Sequence, residues 1–196
     1  MGFLKKLRKR DDRYARIGKA KAAKRDARMA RTLMLAQEAA KREAWEIEGE
    51  CLHDTQVIFL KALHDTFGFT AEKLLAVAGK VCEIGEEIKK HRDIASVQQL
   101  RDELRRETRF DLKVQDIKGG PELQIQKNAI DEISALYLFV LHAYHGFGKV
   151  RLQRMYDACA AIGSDVSHGR RTIEGMMGEL FEEADLKVRM RRKKTA

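Results

Sequence analysis

Two histidines, His64 and His142, occupy the same short pattern, LHxxxGF, at 63–69 and 141–147. An imidazole in a repeated setting suggests a general base or a metal ligand. His145 follows His142 by three residues, which puts two potential ligands on one helical face, but no third or fourth ligand follows in a recognisable pattern. The position of the pattern points elsewhere. A histidine in the last turn of a helix can satisfy a free backbone carbonyl and, when charged, gains from the helix dipole. Both rings are therefore expected to be structural, with no metal bound.

Other reactive side chains lack the company that chemistry requires. Cys51, Cys82 and Cys159 are widely spaced and form no CxxC, so they read as small buried hydrophobes. The acid pairs Glu86–Glu87 and Glu182–Glu183 lie in charged runs typical of a solvated face. No GxxxxGK(S/T), HExxH or GxSxG occurs, and GFGK at 146–149 is too short for a phosphate loop. The expectation is a non-enzymatic protein with no cofactor.

Cations give a stronger signal. Lys149, Arg151 and Arg154 cluster just after a tight turn, in the first turns of a helix, where free N–H groups and the dipole also favour an anion. A helix-turn-helix of this kind would set that helix on a phosphate backbone or in a major groove. On the matching helix of the first unit only Lys73 and Lys80 are offered. The net charge of +9 is concentrated at the ends: residues 1–31 carry +10, residues 185–196 carry +5, and the body between them is left at −6. Lys5, Lys6, Arg8, Lys9, Arg10 and Arg13 lead the first arm and are candidate phosphate contacts.

These residues must be positioned by helices. A single proline, Pro121, and an abundance of Ala, Leu, Lys, Arg and Glu favour helix throughout. Laid on itself at an offset of 78, the chain matches LHDTFGF with LHAYHGF. The apolar positions 74, 77, 78, 81, 84 and 88 fall on 152, 155, 156, 159, 162 and 166, a stripe with helical steps. At an offset of 76, SVQQLRDEL at 96–104 meets TIEGMMGEL at 172–180, and at 74 the two DLKV segments, 111–114 and 185–188, coincide. Each unit then has a first helix (about 52–67 and 122–145), a second (71–91 and 149–167) and a third (97–107 and 173–183). Glycine at the end of the first helix predicts a Schellman stop, with Phe69 or Phe147 folding back onto Leu63–His64 or Leu141–His142. Thr70 and Gly148 sit where the next helix is capped, Ser96 with Gln99 predicts a capping box, and Thr172 is the matching cap.

The predicted fold is all-α: a long basic N-terminal helix followed by a duplicated three-helix unit packed as one pseudo-twofold domain. Its parts are a basic helical arm (1–47), unit one (48–118), unit two (119–188) and a basic tail (189–196). Phe3, Leu4, Leu7, Tyr14 and Ile17 form a thin apolar seam on the arm, suited to a homodimer contact or to resting on a surface.

The run LHxxxGFGxxRL at 141–152 resembles a motif of small proteins encoded by phages and prophages of Gram-positive bacteria. The resemblance covers about one unit, most clearly 138–166, and unit one departs from it with Thr70 in place of the second glycine. It implies a mobile-element origin and a cytoplasmic site, and carries over no residue role. Two partner classes follow from the residues. One is nucleic acid, DNA or RNA, held by the arms and the Lys149–Arg154 helix. The other is a protein, held by the acidic body and long helix of an adapter. No segment reaches the roughly 18 apolar residues of a membrane span, and the basic N-terminus leads into Asp11–Asp12 rather than an apolar signal core.

Overall fold

The computed structural model describes the backbone of residues 2–91, 94–112 and 119–184, and the side chains of 28–90, 97–112 and 119–184. Among the described residues there are six α-helices and no strand: α1 Gly2–Phe67, α2 Ala71–His91, α3 Ile94–Thr108, α4 Pro121–His145, α5 Lys149–Ser167 and α6 Ile173–Ala184. The chain divides into two compact units, Met1–Glu46 and Ile47–Ala196.

In the first unit, residues 28–46 of α1 are exposed apart from the half-buried Ala44, and they include Met29, Leu33, Met34, Leu35 and Trp45. The second unit holds the core. Val57, Phe59, Leu60, Ala62 and Leu63 of α1 are buried, as are Ala135, Tyr137, Leu138, Val140 and Leu141, which lie 78 residues on in α4. A helix buried on several faces has to be apolar around most of its girth, and both segments are. Phe59 and Tyr137 stack with ring centroids 4.6 Å apart. The amphipathic helices pack around this pair through the expected stripes: Leu74, Val77, Leu152 and Met155 are buried, while Ala78, Ile88, Tyr156 and Val166 are half-buried against the core.

Local chemistry sets several of the boundaries. Pro121 opens α4 at the position where its missing N–H costs nothing, behind Gly120. The Thr172 hydroxyl caps α6 by accepting the Gly175 N–H at 3.1 Å.

Four expectations need correction. Helix α1 includes residues 48–51, so Gly49 lies within a helix where a break was expected between arm and unit. Helix α3 begins at Ile94, which places Ser96 in its first turn rather than at its cap. Cys82 is exposed, and Cys51 and Cys159 are half-buried, so the thiols lie at the margins of the core. The stops at Gly68 and Gly146 do not have the Schellman bond pattern, as described below. Of the DLKV segments, 113–114 and 185–188 lie outside the described residues, as does the basic tail.

Candidate functional site

Both LHxxxGF segments end their helices in the same way. Gly68 and Gly146 take φ of 65° and 64°, the left-handed region where a Cβ strains the backbone. The Gly68 N–H donates to the His64 carbonyl at 2.9 Å and the Phe69 N–H to that of Leu63 at 3.3 Å. In the second turn Gly146 donates to His142 and Phe147 to Leu141, both at 3.1 Å. The glycine bond of each turn, to the carbonyl four residues back, is that of an αL stop rather than of a Schellman pair, and the phenylalanine N–H adds a second bond six residues back.

The histidines complete each turn. His64 Nδ1 lies 3.0 Å from the Phe69 carbonyl oxygen and His142 Nδ1 lies 3.1 Å from that of Phe147. A carbonyl only accepts, so Nδ1 carries a proton in both rings. The Nε2 atoms reach across the molecule: His142 to Glu107 Oε2 at 2.8 Å, and His64 to Glu183 Oε2 at 3.5 Å. Glu107 ends α3 and Glu183 ends α6, so the third helix of each sequence unit closes on the first turn of the other. His142 faces an acceptor with each nitrogen. The hydrogen bond from His142 holds the Glu107 carboxyl below the ordinary carboxylate range.

The phenylalanine rings join the two turns. Phe67 lies 4.9 Å from Phe147 and Phe69 lies 5.6 Å from His145, while Phe69 and Phe147 meet edge-on at 6.2 Å. Helices α2 and α5 therefore start beside one another. Cations stand over this aromatic cluster: Lys73 at 5.8 Å from the Phe69 centroid, Arg151 at 4.9 Å from Phe147 and Arg154 at 5.5 Å from Phe67. Lys149 lines a shallow open depression with Val150, Gln153, Arg154 and Asp157. Lys73, Lys149, Arg151 and Arg154 are all exposed, and none is within ion-pair distance of a carboxylate among the described residues. Burial, with the charge of Lys73 second, holds the His145 ring below the ordinary histidine value.

The first turn carries a second charged group. Lys61 is 2% exposed, and its ammonium contacts Asp65 at 3.0 Å and Glu179 and Glu183 at 2.9 Å each. Arg171 closes the group at 4.0 Å from Asp65 and 3.8 Å from Glu179. Burial alone would pull the Lys61 pKa down; the hydrogen bonds it donates to Glu183, Glu179 and Asp65 outweigh it and raise the pKa above the ordinary lysine value. Among the described residues, the one convergence of possible metal ligands is His64, Asp65 and Glu183, whose ligand atoms lie within 4.8 Å of one another. The Lys61 ammonium already fills that space, so a divalent ion would have to displace a resident cation. His142 and His145 do not form such a group: His142 spends both nitrogens on Phe147 and Glu107, and His145 packs on Phe69.

Of the residues singled out in the sequence, Lys149, Arg151 and Arg154 are all exposed in the first two turns of α5: Arg151 and Arg154 stand over the Phe147 and Phe67 rings, and Arg154 lines the depression with Lys149. Lys5, Lys6, Arg8, Lys9, Arg10 and Arg13 belong to α1, and their side chains lie outside the described ones. Sequence reasoning set Lys73 apart as a sign of divergence; the structure puts it beside the same aromatic cluster as Arg151, 78 residues on. It also missed the Lys61 group, for which the only signal was a lysine inside the apolar run VIFLKALH. Among the described residues no helix is long and apolar enough to cross a membrane. No family model, curated protein or solved structure matches the chain.

Proposed function

We propose that the chain is a duplicated three-helix unit in pseudo-twofold packing, and that it is a non-enzymatic accessory protein of the phage type its motif resembles, binding nucleic acid. Contacts that exchange with one another at the 78-residue offset support the duplication. Phe59–Tyr137 and Phe69–Phe147 are pairs of matched positions, Phe67–Phe147 exchanges with Phe69–His145, and Lys73–Phe69 exchanges with Arg151–Phe147.

The observation that carries the nucleic-acid reading is the group of four exposed cations, Lys73, Lys149, Arg151 and Arg154, gathered without carboxylate partners where α2 and α5 begin. Phosphate is the ligand such a surface suits, because point charges and free helix N–H groups favour an anion without demanding a particular base. The +10 of residues 1–31 adds a second polyanion-binding element. Phe69 and Phe147, 9% and 1% exposed, are not free to stack on bases, and the half-buried Phe67 is covered by Arg154. Contact is therefore with the sugar-phosphate backbone, and it depends little on sequence. In this reading α4, the turn and α5 act as the helix-turn-helix.

Titration of mixed-sequence duplex DNA and of RNA across a salt series tests this. Log affinity should fall linearly with log salt, with each neutralised phosphate contributing about 0.9 to the slope on DNA. Deleting residues 2–31 should weaken binding strongly and flatten the slope while leaving the thermal stability of the body nearly unchanged. Charge reversal at Lys149, Arg151 and Arg154 should cause a further loss, and Lys73→Glu a loss similar to Arg151→Glu. Absent or salt-insensitive binding by the full chain would refute the reading and favour a helical protein adapter, for which the exposed Met29, Leu33, Met34, Leu35 and Trp45 already speak.

A further inference from the structure

The segment of α1 in the first unit carries large apolar side chains that stand exposed among the described residues. Met29 is 59% exposed, Leu33 62%, Met34 62% and Trp45 72%. Met29, Leu33, Ala36, Ala40, Ala44 and Ile47 follow one another at steps of three and four residues, so they share one face of the helix. A lone helix gains little from such a stripe, whereas a second helix laid along it removes apolar surface from water on both sides. The alanines at 36, 40 and 44 leave room for a close approach.

Charge identifies the occupant and its direction. Residues 16–31 carry seven Lys/Arg against Asp26, a net +6, whereas residues 32–50 carry five Glu against Lys41 and Arg42, a net −3. The segment is therefore complementary to itself when reversed. In an antiparallel register centred on Leu33, the basic residues 16–31 of one copy lie along the acidic residues 35–50 of the other. A parallel register would set +6 beside +6, which charge repulsion disfavours. We infer that residues 16–50 form an antiparallel helix pair with the same segment of a second copy of the chain, with Met29, Leu33 and the alanine stripe at its seam. This goes beyond the nucleic-acid reading and does not depend on it.

The test uses the full chain, treated with nuclease, in sedimentation equilibrium. The expected mass is twice the 22.5 kDa of one chain, and Leu33→Glu should return it to one chain with unchanged circular dichroism, because Leu33 is 62% exposed among the described residues. Direction is read in a chain whose native cysteines are replaced by alanine. Leu33→Cys should cross-link to its own copy under mild oxidation, while Ala22→Cys should not, and should cross-link to Ala44→Cys in a mixture, because both alanines lie on the seam and face one another in this register. A chain monomeric at all concentrations overturns the inference, as does a dimer indifferent to Leu33→Glu or one in which Ala22→Cys links to itself.

Discussion

The turns at Gly68 and Gly146 share a backbone and differ in what surrounds it. In both, a left-handed glycine ends the helix, and the phenylalanine and histidine that flank it close the turn. Around the first, Lys61 is sunk among Asp65, Glu179 and Glu183. The positions 78 residues on from Lys61 and Asp65 are Phe139 and Ala143, and the position 76 residues before Glu179 is Glu103, so the second turn has no such group. It carries instead the exposed Lys149, Arg151 and Arg154. Backbone hydrogen bonding and a positive φ tolerate few residue types, so the turn itself is held constant. The charged shell is under no such constraint: at the first turn it ties α1 to α6, and at the second it leaves cations facing solvent.

The largest effect should come from the part the two turns share. Phe147 is 1% exposed and packs on Phe67 and Phe69, so Phe147→Ala should cost about 3–5 kcal/mol in denaturant unfolding. Phe69, slightly more exposed, should fall at or below the lower end of that range. A cost under about 1 kcal/mol for either would mean that the rings do not hold the turns together, and the common core of the comparison would fail.

The Lys61 group separates the two copies. Its carboxylates are each at least a third exposed and can rehydrate, so losing the ammonium costs less than breaking a fully enclosed pair. Lys61→Ala should lower stability by about 1–3 kcal/mol, with Lys61→Met milder because the aliphatic stem is kept. If Lys61→Met were as harmful as Lys61→Ala, the charge would be what matters and the stem incidental. Equilibrium unfolding at neutral pH decides between them.

Much of this was legible in the sequence, and the limits have physical causes. The all-helical architecture followed from apolar spacing and from scarce proline, and the glycine stops followed from their place before Phe69 and Phe147. The spacing predicted seven helices, with the arm apart from the first helix of unit one, where six are described; Gly49 did not break α1, because a glycine inside a helix costs only about 1 kcal/mol. The Lys61 group was invisible because two of its carboxylates, Glu179 and Glu183, lie in α6, more than a hundred residues away. The crossed pairs were within reach, since the offset of 78 takes His64 to His142 and the offset of 76 takes Glu107 to Glu183. What periodicity does not say is which unit each third helix closes on.

A smaller effect tests the glycines. At φ near 65° a Cβ meets no heavy atom within 4 Å at Gly68 or Gly146, so the constraint there is conformational rather than one of space. Alanine at either site should cost about 1–2 kcal/mol by thermal or chemical unfolding, and the two costs should agree closely. Unequal costs would mean that the surroundings, and not the shared backbone, set the strain.

The smallest expected effect concerns the crossed carboxylates, and it has a definite sign. A hydrogen bond from His142 lowers the pKa of Glu107, and one from Lys61 lowers that of Glu183, both below the ordinary 4.5. A carboxyl that titrates lower in the folded chain than in the unfolded one binds fewer protons when folded. Its contribution is therefore complete above the ordinary value and is lost as pH falls through the lower, folded one. Both side chains are about half exposed, so solvent screens each pair and the loss should be modest. Unfolding measured between neutral pH and the acid side of 4.5 should show stability declining through that window, and Glu107→Gln and Glu183→Gln should each flatten the decline. The comparison is sharpened by which substitution flattens it more. Glu183 answers to a buried lysine and to His64, whereas Glu107 answers mainly to His142, so Glu183→Gln should remove the larger share. If Glu107→Gln removed more, the short His142 contact would be the stronger of the crossed pairs, and the Lys61 group would owe its stability to Asp65 and Glu179.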